Sequence, residues 1–409
     1  MLSRFLRGSV LAGLCLLLLC LNAQRTLVPA NEDTTIPASA VSSATARSSE
    51  PPASVSAIAT AASVTTGNTP AATASQLAVT AGTDAANATV YGISDPPLIN
   101  QSASVQVEQL KAMKAMGVTS VRLEANWYWG QPNGPGTFDW GPLDQVVASI
   151  REVGLSADLI IDGCPPWAAV PGAEDTQYAQ PASAAEFAAW ARAVAARFGP
   201  EGVAYFEIWN EPNVADFWQP EPDPAAYTAD LIAAYAAIKA ADPTAVVLSG
   251  GLAPADNDGT DYDPRTFLED MYADGAKGSF DALGFHPYSY PDSPDTETSW
   301  SGWSMMSDTS PSLRSIMAAN GDSAKKIWIT EYGAPTSGPN SVGETGQSTD
   351  LVQAISQVRT LDWIGSFYIY TWSDVSGQPA DQNGFGLLTD ENTQKPAYSA
   401  VAAALAANG

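Results

Sequence analysis

Basic residues, histidine and usable cysteine are all scarce in this 409-residue chain. Lysine and arginine together number 18 against 44 aspartates and glutamates, a formal net charge of −26. Such an acidic chain repels phosphate backbones and anionic lipid heads, so neither nucleic acid nor a membrane surface is an expected partner. The one histidine, His286, excludes a multi-histidine zinc site. It also leaves a Ser-His-Asp triad a single candidate base, and no GxSxG elbow precedes it. No GxGxxG or GxxxxGK turn follows the first candidate strand, which removes the usual nucleotide cradles. No cofactor and no metal are expected. The acidic run Asp256, Asp258, Asp261 and Asp263 matches no calcium-loop spacing and is read as a solvated loop.

Two of the three cysteines, Cys15 and Cys20, sit in the apolar run Val10 to Leu21, which follows Arg4 and Arg7 and precedes Ala23. That order describes an export signal, with cleavage expected after Ala23 or after Ala30. A secreted protein, or one tethered to the cell envelope, is the expectation. The mature chain then holds only Cys164, expected to be a buried, inert thiol, and forms no internal disulfide. Residues 24–89 are rich in Ala, Ser, Thr and Pro and nearly free of aromatics. They cannot bury enough apolar surface to offset their ordering entropy and are read as a linker. The remaining 90–409 form the expected catalytic domain.

From Val90 onward, short apolar runs alternate with amphipathic stretches. Strands are expected at Val90–Ser94, Ser120–Asn126, Ser156–Ile161, Ala204–Asn210, Ala245–Gly250, Ala282–His286, Lys326–Thr330 and Ser366–Thr371. Helices are expected at Val105–Met116, Leu143–Val153, Ala184–Phe198, Pro224–Ala240, Pro264–Asp274, Ser312–Asn320, Gly346–Leu361 and Pro396–Ala407. Eight strands each followed by a helix is the count of an α/β (β/α)8 barrel, the TIM barrel. Chemistry in that fold gathers where strands end.

The fourth strand ends in Trp209-Asn210-Glu211-Pro212-Asn213 and the seventh in Thr330-Glu331-Tyr332-Gly333. A pair of carboxyls facing each other across the barrel mouth suits glycoside hydrolysis. One acid protonates the leaving oxygen while the other attacks the sugar, at about 5–5.5 Å separation in retaining enzymes. Glu331 is the candidate nucleophile, held ionised by Arg122 and hydrogen-bonded by Tyr288. Glu211 is the candidate acid/base, kept protonated by the neighbouring negative charge. Glu207 shares the strand parity of Glu211 but lies lower and is read as a paired structural acid. Glu124 is read as a partner for Arg122, and His286 as a substrate contact or hydrogen-bonding support. Trp127, Trp129, Trp167, Trp218, Trp300, Trp303 and Trp372 are candidate sugar platforms, Trp372 and Trp167 foremost, because aromatic faces suit the C–H faces of pyranoses. Trp300 and Trp303 fall in a long sixth loop, Ser289 to Thr309, of the kind that shapes or lids a cleft.

Over nearly all of 90–409 the chain resembles the clan A glycoside hydrolases, family 39 most and related family 5-type cellulase-like proteins. The resemblance rests on Val121-Arg122-Leu123-Glu124 with Trp127, Gly136-Thr137-Phe138-Asp139-Trp140 and Pro165-Pro166-Trp167-Ala168. It continues through Trp209-Asn210-Glu211-Pro212-Asn213 with Phe217-Trp218, His286-Pro287-Tyr288, Thr330-Glu331-Tyr332-Gly333 and Tyr370-Thr371-Trp372. It implies Glu211 as acid/base and Glu331 as nucleophile, and a contact from Asn210 to the sugar 2-hydroxyl. It also implies support of the nucleophile by Tyr288 and Arg122, and a platform at Trp372. The expected partner is a β-linked oligo- or polysaccharide, hydrolysed with retention by a monomer. A non-catalytic carbohydrate-binding barrel and a transglycosylase using the same residues are the alternatives left open.

Overall fold

The computed structural model describes residues 88–377 and 383–407. The expected signal and nearly all of the expected linker lie outside them. Eight strands are present: β1 Val90–Ser94, β2 Ser120–Asn126, β3 Ser156–Asp162, β4 Tyr205–Asn210, β5 Val246–Gly251, β6 Leu283–Phe285, β7 Ile327–Tyr332 and β8 Ile364–Tyr370. They form one parallel sheet in the order β5-β4-β3-β2-β1-β8-β7-β6. Parallel bridges Leu248–Ala282 and Leu252–Phe285 join the two ends, so the sheet closes into a (β/α)8 barrel. That closure excludes an open doubly wound sheet, the other architecture that alternating strands and helices could build.

The helices sit where the amphipathic pattern put them, and their ends follow local chemistry. Helix α1 (Ala103–Met116) ends at Gly117 with φ 104°. Glycine carries no Cβ to clash in that left-handed cap. Helix α2 (Pro224–Ala241) begins at Asp223, whose carboxylate accepts from the Ala225 and Ala226 amides, satisfying two of the first-turn donors. The apolar faces of the helices pack on the outer faces of the strands in one core that takes in Ile93, Leu123, Phe206, Ile329 and Phe367.

The barrel interior is layered. At its lower end Leu248, Trp328 and Tyr368 pack together with Tyr205 and Val246. Room for these rings comes from glycine: a Cβ on Gly92 would stand 2.2 Å from the Tyr368 ring, and one on Gly365 would collide with Trp328. Above this plug the interior turns polar. Arg122, Asp158 and Glu207 are each fully buried. That charged layer carries the side chains of the mouth.

Candidate active site

The β4 end makes an unusual turn. Trp209 and Glu211 both have positive φ, 71° and 48°, a region that costs non-glycine residues about 1–3 kcal/mol when the surroundings impose it. The surroundings do so here. The Trp209 ring donates to the Phe217 carbonyl at 2.7 Å and packs on Phe187 and Trp218. The Glu211 amide donates to the Gly251 carbonyl at 3.0 Å. The turn brings Glu211 opposite Glu331 of β7. A carboxylate oxygen of each, with a ring nitrogen of His286, lies within 4.8 Å of the others. Among the described residues this is the one grouping with metal-ligand atom types. Within it Glu211 bonds His286, while Glu331 is bonded by Arg122 and Tyr288.

Glu331 is 5 % exposed and takes hydrogen bonds on both oxygens. Arg122 Nη1 donates to Oε1 at 2.5 Å and the Tyr288 hydroxyl donates to Oε2 at 2.8 Å. Ser94 Oγ, at the end of β1, donates weakly to Oε1 at 3.4 Å. Arg122 is shared: Nε and Nη2 donate to Glu207 at 2.6 and 3.2 Å, and Nη2 also donates to Asn210 Oδ1 at 2.9 Å. Glu207 is thus the paired acid expected from its strand position. Glu124 is not the partner of Arg122. It accepts from Asn126 Nδ2 at 3.2 Å instead, because the guanidinium is already claimed by Glu207 and Glu331.

His286 connects the two sides of the mouth. Its Nδ1 lies 2.7 Å from Glu211 Oε1, and its Nε2 lies 3.0 Å from Thr330 Oγ1. The Thr330 hydroxyl donates to Glu207 Oε1 at 3.0 Å, and Glu207 accepts from Arg122 and the Gly251 amide as well. A hydroxyl has one hydrogen, and this one is spent on Glu207. Towards His286 the Thr330 oxygen can therefore only accept, which puts the ring proton on Nε2. Burial, followed by the nearby Arg122 charge, pushes the imidazole pKa well down, so the ring is neutral. Its Nδ1 is then an acceptor, and the hydrogen in the 2.7 Å bond belongs to Glu211. Gly251 makes the arrangement sterically possible, since a Cβ there would stand 2.2 Å from His286 Nε2 and 2.6 Å from Thr330 Oγ1.

The electrostatics agree with this bond polarity. Burial pushes both carboxyls up. At Glu211 the charge of Glu331 adds to the rise and carries it well above the usual range. At Glu331 the guanidinium of Arg122 and the Tyr288 hydroxyl oppose it. Repulsion between the two glutamates is thus not the main cause at Glu211, as the sequence suggested; burial is.

The candidate site residues Arg122, Asn210, Glu211, His286, Tyr288 and Glu331 meet in one cluster. The tryptophans divide differently. Trp127 has no exposed surface, donates to Gln131 Oε1 at 2.7 Å and packs edge-on against Trp167, so it is a core residue with no face for a sugar. Trp372 is 3 % exposed and packs against Tyr398, which leaves almost no free face for the platform that the resemblance implies. Trp218 is fully buried. Trp303, also buried, belongs to the short helix Gly302–Ser307 that orders the sixth loop. Trp167, half-buried, donates to the Gln131 carbonyl at 2.8 Å and is the better platform of the two favoured. Trp129 is also half-buried and Trp300 is exposed.

Cys164 is buried and free, and burial pushes its thiol up, as an inert thiol requires. The acidic loop spends its carboxylates locally: Asp258 accepts from the Thr260 and Asp261 amides, and Asp263 caps the next helix and pairs with Arg265. Sequence reasoning missed Ser94, Thr330 as a bonding partner, Gly251 and Asp95. Asp95 follows β1 and is buried, and burial pushes its carboxyl up to about 7. Its position at a strand end was the available signal.

A parallel eightfold barrel with two buried carboxyls facing each other at the C-terminal mouth is the architecture of the clan A glycoside hydrolases. The family model for cellulase, glycosyl hydrolase family 5, matches residues 83–367, and the chain belongs to that family. Solved structures with the same fold include a family 39 glycoside hydrolase from the gut symbiont Bacteroides cellulosilyticus WH2. It has a TM-score of 0.61 and 21 % identity over 78 % of this chain and 63 % of that one. A monomeric β-xylosidase from Caulobacter crescentus CB15 superposes with a TM-score of 0.58 and 21 % identity over 77 % of this chain and 66 % of that one. A family 5, subfamily 18 protein from Streptomyces cattleya in complex with GlcNAc gives 0.58 and 16 % identity, over 79 % and 82 % of the two chains. The chain therefore spans slightly less than two thirds of the length of the first two. No curated protein sequence matches it. Among the described residues no helix is long and apolar enough to cross a membrane.

Proposed function

We propose that the protein is a retaining β-glycosidase that hydrolyses a β-linked glycan by double displacement. One observation carries this reading: two buried carboxyls of opposite hydrogen-bond character have oxygens within 4.8 Å of each other. An inverting enzyme needs about 6.5–9.5 Å to admit a water between the carboxyls, whereas direct attack needs about 5–5.5 Å. Glu331 accepts donors on both oxygens and is the nucleophile. Its oxygen forms a bond to the anomeric carbon while the glycosidic C–O bond breaks and the departing oxygen takes the Glu211 proton. Glu211, now ionised, removes a proton from water, and the resulting hydroxide displaces Glu331 from the sugar. Tyr288 and Arg122 orient the nucleophile, and Asn210, anchored through its oxygen by Arg122, presents its amide hydrogens to the sugar.

Family membership and the glycosidase names of the structural neighbours, a β-xylosidase and an exo-β-1,4-mannosidase among them, support the class of reaction. The Arg4/Arg7 start followed by the run Val10 to Leu21 supports export to the cell exterior. Incubation with a mechanism-based 2-fluoro glycoside followed by peptide mass mapping tests the assignment. A covalent adduct on Glu331 is expected. Tight sugar binding with no adduct for any glycoside, and no turnover, would favour the binding-only barrel.

A further inference from the structure

Beside Asn210 a small recess opens between the ends of β2, β3 and β4. Its volume is about 10 Å³, measured to the centre of a water-sized sphere, which is room for one small group and not for a ring. Three polar atoms on its walls are buried with no hydrogen-bond partner: Asp162 Oδ1, Asn126 Oδ1 and Gln177 Nε2. Their residues are 8 %, 8 % and 3 % exposed. Unpaired buried polar groups are rare in native proteins because each forfeits its hydration. Three on one recess call for a ligand group.

The chemistry of that group follows from the walls. Asn126 gives its amide nitrogen to Glu124, so its oxygen is what remains. Gly163, at φ 72°, allows this, since a Cβ there would fall 2.5 Å from Asn126 Oδ1. The recess therefore offers two carboxyls and an amide oxygen, with Gln177 Nε2, the Tyr178 hydroxyl and the Asn210 amide as the donors on its walls. Among the described residues neither Glu124 nor Asp162 has an ion-pair partner, and Arg122 is committed to Glu207 and Glu331. Burial pushes both carboxyls up, and at Asp162 the facing Glu124 charge adds to the rise. A hydroxyl brings one donor and no charge. An ammonium brings three donors in the same volume, and its charge would draw Glu124 and Asp162 back towards their ionised forms. An acetamido group is too large.

The geometry points to a recess that seats the free ammonium of an amino sugar, making the preferred glycan one built from de-N-acetylated glucosamine-type units. Asp162 and Glu124 are its specificity determinants. This rests on the glycosidase reading, because the recess is lined by Asn210, the residue before Glu211.

The test uses binding as well as turnover. The full-length Glu331→Gln protein is titrated calorimetrically with β-1,4-linked tetrasaccharides of glucosamine, glucose and N-acetylglucosamine at pH 6. The measurement is made at low salt and again at ~0.5 M salt, which screens the long-range attraction of a chain this acidic. The glucosamine oligomer is expected to bind at least ~10-fold tighter than either other sugar at both salt concentrations. Asp162→Asn and Glu124→Gln are each expected to lower that ratio by ~10-fold or more. A ratio near one, a preference that vanishes at high salt, or a preference unchanged in both variants overturns the inference. Wild-type hydrolysis of neutral glycans without amine preference defeats this inference alone. Selective amine binding without hydrolysis of any β-glycoside defeats the glycosidase reading and leaves the recess assignment standing.

Discussion

Replacing Thr330 with valine removes a hydroxyl that touches no substrate, yet it should change how the reaction responds to pH. In the native protein Thr330 Oγ1 lies 3.0 Å from His286 Nε2 and 3.0 Å from Glu207 Oε1, which fixes the ring proton on Nε2 and the next proton on Glu211. Valine leaves Nε2–H without its acceptor. The other tautomer, with the proton on Nδ1, then competes and donates to an ionised Glu211 across the 2.7 Å contact. A neutral hydrogen bond is worth about 0.5–1.5 kcal/mol, and about 1.4 kcal/mol corresponds to one pKa unit. The Glu211 pKa should fall by up to about one unit. The acid must be protonated to act, so the rate is lost as pH rises through that pKa. The basic limb of kcat/KM against pH should therefore move about one unit towards acid. Aryl β-glycosides provide the assay and a control. A phenyl glycoside needs protonation of its leaving group and should show the shift. A 2,4-dinitrophenyl glycoside, whose leaving group departs unassisted, should not. Thr330→Ser keeps the hydroxyl and should restore the native profile. An active Thr330→Val enzyme whose basic limb has not moved, or has moved equally for both substrates, would refute the tautomer argument.

Four further outcomes follow from the same geometry. Glu331→Gln should lower hydrolysis by ~10³-fold or more with the fold intact by circular dichroism, and comparable activity would remove Glu331 as nucleophile. Proton NMR of the first product formed should show the β anomer, since the nearest oxygens of the two carboxyls approach within 4.8 Å, the close approach that direct attack by Glu331 calls for. Arg122→Leu should cost about 3–5 kcal/mol in urea unfolding, because Glu207 would be left buried without its cation; adding Glu207→Gln should recover part of that loss. Stability should also decline as pH rises from about 4 to 8. Burial pushes Asp95 up to about 7 and Asp230 up to about 8. A carboxyl whose folded pKa exceeds its unfolded value stabilises below the unfolded value and loses that contribution as pH climbs through the folded one. Asp230→Asn should flatten the melting temperature across this window.

The alternation of apolar runs and amphipathic stretches carried most of the fold. Runs such as Ser156–Ile161 are mainly apolar, Ser156 and Asp158 apart, because parallel strands are covered on both faces, and that signal survives without tertiary information. Strand ends were harder. The short β6, Leu283–Phe285, stops before His286 because the chain turns there to aim the imidazole at Glu211. The candidate cluster could be assembled from the sequence because the chemistry proposed for it is tied to residue type: a carboxyl at a strand end has few structural uses. Aromatic residues have many. Trp127 and Trp167 are both near strand ends, yet only the second is half-buried and the first fully covered, with Phe187 packing on it from a distant part of the chain. Thr330 and Gly251 could not be singled out at all, since their role exists only once β5, β6 and β7 are side by side.

The buried charge beneath the mouth explains why the site's two acids behave differently. Arg122 pairs with both Glu207 and Glu331 through one guanidinium, and Glu207 in turn accepts the Thr330 hydroxyl that orients His286. One cation thus acts on Glu331 and Glu211 by separate routes, directly on Glu331 and through a chain of four hydrogen bonds on Glu211. A low-dielectric interior strengthens each link and penalises any break in it. The strained Trp209-Asn210-Glu211 turn is tolerated for the same reason: the amide of Glu211, the oxygen of Asn210 and the ring of Trp209 are each held by a different neighbouring element. This much buried polarity spent on the orientation of two carboxyls, with the Glu211 proton set by a bond chain and not by exposure to solvent, is what the proposed proton transfer needs, and a surface built only to hold sugar would have no use for it.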